Sequence, residues 1–426
     1  MPTPRSVQPP PPEIRPGSGP ASRQESRLLT VLAAVQFTVL ADFMTMSPIG
    51  PVLMDAFAIG PQALGWLVAV YTFSAAISGV LGALFADRFD RKHLLLALYA
   101  LFVVSLIACS VAPGYPALLF ARAAGGAFGG VLGAVVMTIV GDAIPESRRG
   151  QATGVVMTAF AVATIAGVPI GLVLAGHFGW HAPFALLAVL SAGVWLCAWR
   201  WLPSMAGHLQ PGDGAPRRSS VGAIIAVLSR PQHLRAYLLV VMVMSTAFLV
   251  IPYISLYMAL NVGIGIKDLP IVYLVGGGAT LFSARLIGRL SDRLGKPRVF
   301  RWLAAAAVVP LIAITHLPPV GLIGATLASL AFFVLVSGRM IPMMAIVTSA
   351  ADPALRGTFM SLNQTVQSLS QGVATFVASL MLGRAGDGRL LHYDWVGWLA
   401  VAISLASCYW VGRVVRPAGG SAPASG

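Results

Sequence analysis

Gly82-Ala-Leu-Phe-Ala-Asp87-Arg88-Phe-Asp90-Arg91-Lys92 follows the second long apolar run of the chain, and Gly288-Arg-Leu-Ser-Asp292-Arg293-Leu-Gly295-Lys296 follows the eighth. Aligning Asp87 with Asp292 also brings Arg88 onto Arg293 and Arg91 onto Lys296. A second echo comes from Arg149-Gly150, which opens the fifth run, and Arg356-Gly357, which opens the eleventh. A charged signature returning at equivalent places marks two related halves, as duplicated membrane folds show.

Between and around these signatures lie runs long enough to cross a bilayer, whose core of about 30 Å needs roughly 20 apolar residues. Twelve are read: 28–52, 62–85, 93–112, 115–141, 150–176, 181–202, 236–260, 268–290, 299–317, 319–349, 357–383 and 393–414. The tenth, with Pro318, Pro319 and Pro342, is longer than one span needs and is expected to start outside the core or to kink. The composition agrees. The chain is 57% apolar and 10% charged, against about 45–50% and about 25% in soluble domains, which excludes an ordinary soluble enzyme. The reading is an all-α membrane protein of twelve transmembrane helices.

Residues 1–27, rich in Pro, Ser and Gly, read as a disordered cytoplasmic tail. Residues 203–235 carry Pro211, Gly212, Gly214, Pro216, Arg217 and Arg218 and read as a cytoplasmic linker. They separate a six-helix bundle over 28–202 from a second over 236–414, with a short tail at 415–426. Orientation follows from the cations. Of 28 Lys and Arg, 23 fall on the side of the N-terminal tail, and only Lys267, Arg384 and Arg389 on the other. That bias places both termini in the cytoplasm. It also accounts for the net charge of +14 without nucleic acid. Cys109, Cys197 and Cys408 lie far apart inside apolar runs and form neither a disulfide framework nor a metal-ligand spacing.

The loop signatures resemble G-x-L-x-D-[RK]-x-G-[RK]-[RK] of the major facilitator superfamily, with Ala83 and Asp90 replacing two residues of the first copy. Leu118-x-x-x-Arg122-x-x-x-Gly126 is similar to that family's arginine motif in helix 4. Gly167-Val-Pro169-Ile-Gly171 resembles the antiporter motif of its proton-coupled efflux branch, and Gly179-Trp180-His181 the G-W-R turn of arabinose-efflux-like members. The resemblance spans residues 28–414. It implies the major facilitator fold, two six-helix bundles with inverted repeats, and a proton-coupled exporter of a drug-like compound or a sugar, with uptake by symport as the alternative. It also implies a gating role for Asp87, Arg88, Arg91 and Lys92 beside Arg356, and for Asp292, Arg293 and Lys296 beside Arg149.

Of the fourteen acids only Asp42 lies well inside an apolar run. An intramembrane acid is costly and usually faces a bundle interior or aqueous cavity. Counted along their helices, Asp42 and Arg122 both fall about 9 Å from the outer edge of the core. Asp42 is therefore expected to carry the proton and Arg122 to be its charge partner, since desolvation opposes the carboxylate and a guanidinium favours it. A purely structural ion pair is the alternative. Candidates for a substrate cavity are Gln36, Tyr71, Tyr253, Tyr257, Arg339, Asn363, Gln364, Gln367 and Gln371. The last three recur at helical spacing, and Arg339 lies near mid-depth, where it can equally satisfy the carbonyls of a broken helix. Gly167, Pro169 and Gly171 are expected to set a bend and close helix contact.

The only Gly-Lys pair, Gly295-Lys296, precedes Pro297, so no P-loop for ATP is present; no H-E-x-x-H occurs either. The expectation is a transporter rather than an enzyme, working without cofactor or metal, in a bacterial inner membrane. Its partners are protons, a small molecule and the lipid bilayer, and a monomer is the expected form. A non-transport membrane receptor or enzyme is the rival class.

Overall fold

The computed structural model describes residues 23–85, 89–203 and 220–415, which are helical almost throughout. The first half runs α1 (Arg23–Met46), α2 (Gly50–Phe57), α3 (Pro61–Phe85), α4 (Arg91–Ser110), α5 (Tyr115–Ala143), α6 (Glu146–Val162), α7 (Val168–Phe178) and α8 (His181–Trp201). A π turn at Ala163–Gly167 joins α6 to α7. The second half runs α9 (Ser220–Leu228), α10 (Pro231–Val250), α11 (Ile254–Tyr257), α12 (Leu269–Leu294), α13 (Lys296–Ala306), α14 (Val308–Thr315), α15 (Gly321–Phe332), α16 (Met340–Ala350), α17 (Arg356–Met381) and α18 (Tyr393–Val415). Further π turns follow α11 at Met258–Val262 and α15 at Phe333–Ser337.

Eleven helical runs among the described residues are long and apolar enough to cross a membrane. α17 matches them in length with 26 residues; its Asn, Gln, Ser and Thr side chains keep it from qualifying by composition. The expected span boundaries shift in several places. Arg23 to Arg27, assigned to the tail, already form the first turns of α1. The first run breaks after Met46 and resumes as α2, with Pro51 in its first turn. The linker is partly helical, because Val221-Gly-Ala-Ile-Ile-Ala-Val-Leu228 is apolar enough to pack against α3 and α17. The tenth span is interrupted by the π turn at 333–337. Residues 1–22, 204–219 and 416–426, which hold most of the expected tails and linker, lie outside the described residues, as do Asp87 and Arg88.

Gly295 of the second signature and its counterpart Asp90 of the first differ in backbone. Gly295 has φ 89°, a left-handed value that spares glycine the Cβ penalty, and it separates α12 from α13. Its counterpart Asp90 has φ −56° and caps α4, its carboxylate accepting the Lys92 N–H at 2.8 Å.

Within the first half α5 packs on α3 and α4, and α1 on α6 and α8; within the second, α10 packs on α17 and α18, and α12 on α15. The halves meet along α3 and α17 and where α12 crosses α7 and the π turn at 163–167. The rings of Trp66 and Phe376 meet tilted at 55° with centres 4.7 Å apart, and Gly277 admits Thr164. Toward the end rich in Lys and Arg, Gly150 and Gly154 of α6 and Gly278 and Gly288 of α12 face open space. At the far end the halves are tied by hydrogen bonds. Ser255 Oγ donates to Ser47 O at 3.0 Å, and Gln62 Nε2 to Leu382 O at 2.6 Å. A hairpin of β1 (Gly383–Arg384) and β2 (Leu390–Leu391) covers this end. Asn261 grips it twice, donating to Leu390 O at 3.0 Å and accepting the Leu390 N–H at 2.9 Å.

Candidate functional site

Small residues on α5 decide what lies between α1, α3 and α5. A Cβ on Gly126 would lie 2.1 Å from Tyr71 O, and one on Gly130 2.6 Å from Ala75 O. The two backbones therefore touch, as small residues permit in membrane helices. A Cβ on Gly129 would lie 2.7 Å from the Tyr71 hydroxyl, so the phenol occupies the space that this glycine leaves. Tyr71 is thereby laid flat under Arg122, whose Cζ sits 4.3 Å from the ring centre. Phe43 stacks on the same ring at 5.5 Å.

Arg122 Nη1 donates to Asp42 Oδ1 at 2.6 Å, and both side chains are 1% exposed. A charge-assisted bond of this length is among the strong ones. The pair is incompletely satisfied. Asp42 Oδ2, Arg122 Nε and Nη2, and the Tyr71 hydroxyl have no hydrogen-bond partner among the described residues. Leaving a carboxylate oxygen buried and free is costly. The tyrosine and the thiol of Cys109 are the other titratable neighbours of the pair. A proton arriving on Oδ2 would neutralise the charge opposite Arg122, with the Tyr71 hydroxyl as its neighbouring donor.

Helix 5 of the sequence reading abuts this site. A Cβ on Gly167 would lie 3.2 Å from Ala41 Cβ, and one on Gly171 2.4 Å from Thr45 Cγ2. Ala41 precedes Asp42 and Thr45 follows it by three residues, so the two glycines set how closely α7 approaches the turn that carries the acid. Pro169 stands between them in the first turn of α7.

Other candidates are dispersed. Gln36, on α1 below Asp42, has a buried unpaired Oε1. On α17, Gln367 and Gln371 donate to the thioethers of Met344 and Met244 at 4.0 and 3.7 Å. Asn363 is buried with Oδ1 unpaired, whereas Gln364 is exposed and does not join the other two. Tyr253 and Tyr257 donate to Thr375 O at 3.0 Å and Leu317 O at 3.2 Å, holding the far end together rather than lining a chamber. Arg339 also leaves the group. It is fully buried, donates to Val336 O in the π turn at 3.2 Å, and reaches Ser404 Oγ on α18 at 2.8 Å. One carbonyl of the broken helix thus claims it, and Nη2 is buried without a partner among the described residues.

The gating residues are likewise placed only in part. Arg91 donates to Asp142 at 3.3 Å, tying α4 to the end of α5. Arg148, next to Arg149 in sequence, pairs with Glu25 of α1 at 3.0 Å. Asp292 and Lys296 line a cleft of about 340 Å³ with Gly295, Ile346 and Ser349 of their own half. Arg293 and Arg356 are exposed, as is Arg149, and Lys92 is half-buried.

A bundle of apolar helices with a buried carboxylate and guanidinium between its first, second and fourth crossings defines a membrane transport protein of the major facilitator type. The sequence pattern of the Major Facilitator Superfamily matches residues 32–375, and the chain belongs to that family. It is 24% identical over 351 residues to the uncharacterised MFS-type transporter YceJ of Bacillus subtilis (strain 168), covering 82% of this chain and 87% of that one. Its fold is similar to that of a D-xylose-proton symporter, with TM-score 0.76 and 15% identity over 92% of this chain and 98% of the other. The nucleoside transporter NupG superposes with TM-score 0.72 at 12% identity, over 92% and 100%.

Proposed function

We infer that this transporter exports a small amphipathic organic compound in exchange for protons, by alternating access between the bundles at 28–202 and 236–414. The observation that carries this reading is the enclosed Asp42, with Oδ1 on Arg122 and Oδ2 beside the Tyr71 hydroxyl. Protonation of that oxygen weakens the attraction across the pair and lets α1 and α5 move relative to one another. The contact of Gly167 and Gly171 with α1 on either side of Asp42 links the acid to the antiporter-like helix and supports export. Thioethers of Met44, Met244 and Met344 beside a few amides and hydroxyls support an amphipathic cargo, since methionine adapts to varied apolar shapes. The chain sits in a bacterial inner membrane with both termini cytoplasmic, in keeping with its cation bias. The signature residues Asp87, Arg88, Asp292 and Arg293 latch the cytoplasmic ends in the outward-open state.

The test is reconstitution into proteoliposomes with an imposed pH gradient and a screen of compounds for coupled proton flux. Proton movement opposite to the compound, lost in Asp42→Asn, is the expected result. Flux in the same direction makes the protein a symporter, and compound movement without proton flux removes the coupling role of Asp42.

A further inference from the structure

Two arginines lie against the end of α18 on the basic side, held in place by the protein and, among the described residues, opposed by no acid. Arg301 of α13 lays its guanidinium along α18, Nε donating to Cys408 O at 3.2 Å. Gly412 makes room for it, because a Cβ there would lie 2.7 Å from Nη2. One turn around the helix, Arg413 donates Nη2 to the Tyr409 hydroxyl at 2.7 Å and stacks over Tyr409 and Trp410 at 4.9 and 5.3 Å. Trp410 is itself fixed by donating Nε1 to Arg235 O at 3.0 Å. Neither guanidinium meets a carboxylate among the described residues, and both are exposed. Between them Tyr409 is 67% exposed, and a turn deeper Leu405 is 50% exposed to the bilayer.

Two preset planar forks at the depth of an aromatic belt, above an apolar strip, match a phosphodiester with its acyl chains lying below. Guanidinium binds phosphate bidentately and is weakly hydrated, and basic pockets between helices on the cytoplasmic side take lipid headgroups. We propose that Arg301 and Arg413, with Tyr409 between them, form a binding site for an anionic phospholipid of the cytoplasmic leaflet. The assignment of that leaflet rests on the orientation reading above; the binding site itself does not.

The full chain, purified in detergent, is incubated with phosphatidylglycerol, cardiolipin or phosphatidylcholine and examined by native mass spectrometry. Anionic lipid should be retained, phosphatidylcholine should not, and millimolar inorganic phosphate should not displace it. The Arg301→Gln/Arg413→Gln variant should lose retention at least tenfold, while Arg384→Gln/Arg389→Gln, which removes two cations at the far end, should keep it. If the first variant is not monodisperse, Arg301→Lys/Arg413→Lys preserves the charge without the forks and should bind severalfold more weakly. Equal retention by a monodisperse variant at Arg301 and Arg413, or an equal loss in the far-end control, overturns the site. Displacement by free phosphate overturns the lipid assignment. The readout involves neither transport nor sidedness, so its failure is separate from failure of the exporter reading.

Discussion

Gly126 and the carbonyl of Tyr71 are so close that a methyl group on Gly126 would lie 2.1 Å from the oxygen. Because the clash is with backbone, neither helix can relieve it by a rotamer change. Overpacking costs typically about 1–3 kcal/mol, and Gly126→Ala is expected at or above the upper end, read as a fall in thermal unfolding temperature in detergent. Gly129→Ala meets side chains rather than backbone, the far end of Tyr71 at 2.7 Å and Val39 Cγ1 at 3.3 Å. It should be milder, and Tyr71→Phe should restore most of its loss. Equal destabilisation by the two alanines would contradict the contact described.

The ion pair that this contact positions behaves differently when one partner is removed than when both are. Asp42→Asn strands a buried guanidinium, and losing one partner of a buried pair costs about 3–5 kcal/mol. Arg122→Gln strands the carboxylate likewise. The double variant Asp42→Asn/Arg122→Gln leaves no uncompensated charge and should recover a large part of the stability while remaining uncoupled. A double-mutant cycle on thermal unfolding, paired with proton flux, checks both halves of the statement.

Gly171 and Thr45 give a test of the approach between α7 and α1. A Cβ on Gly171 would sit 2.4 Å from Thr45 Cγ2 but 3.1 Å from Oγ1. Gly171→Ala should therefore impair transport and lower stability, and adding Thr45→Ser, which deletes the offending methyl, should restore both. A rescue confined to stability would show that the contact is packing alone.

The fold was legible because apolar runs of bilayer length and a repeated charged signature are properties of sequence. Asp42 and Arg122 stood out for the same reason, being charges where hydrocarbon tolerates few. Their angular positions were not readable. Depth comes from counting residues, whereas rotation about each helix depends on packing. That is why Tyr71 moved from the cavity group to the underside of Arg122, and Arg339 from the cavity to Ser404 and Val336. The run Ala124-Gly-Gly-Ala-Phe-Gly-Gly130 held the missing signal, since glycines spaced in this way bring another helix to backbone contact. The hairpin at 383–391 had a weaker signal in Asp387-Gly388, whose glycine turns at φ 90°, while the grip of Asn261 on Leu390 lies far away in sequence.

Outside the membrane, Asp352 lies between α16 and α17. The N–H of Ala354, at 2.9 Å, and then the guanidinium of Arg230 hold its carboxyl below the usual carboxylate range. A depressed folded-state value stabilises the fold above the unfolded value of about 3.9, and this contribution disappears as pH falls through the lower folded value. At neutral pH Asp352→Asn should unfold at a lower temperature than the parent. The gap should close progressively below about pH 4, and a gap independent of pH would show that the carboxylate charge is not its source.

Alternating access requires the far ends of the halves, joined here, to part during transport. Gly176 of α7 and Ile266 between α11 and α12 face one another there, a Cβ on Gly176 lying 3.6 Å from Ile266 Cγ2. Cysteines at both positions would be neighbours across this contact, which is the proximity that a disulfide needs. The variant Gly176→Cys/Ile266→Cys should be inactive after oxidation and recover on reduction, while each single variant stays active under both conditions. Undiminished turnover by the cross-linked protein would show that the far end does not open, and would remove alternating access between these halves as the way the cargo crosses.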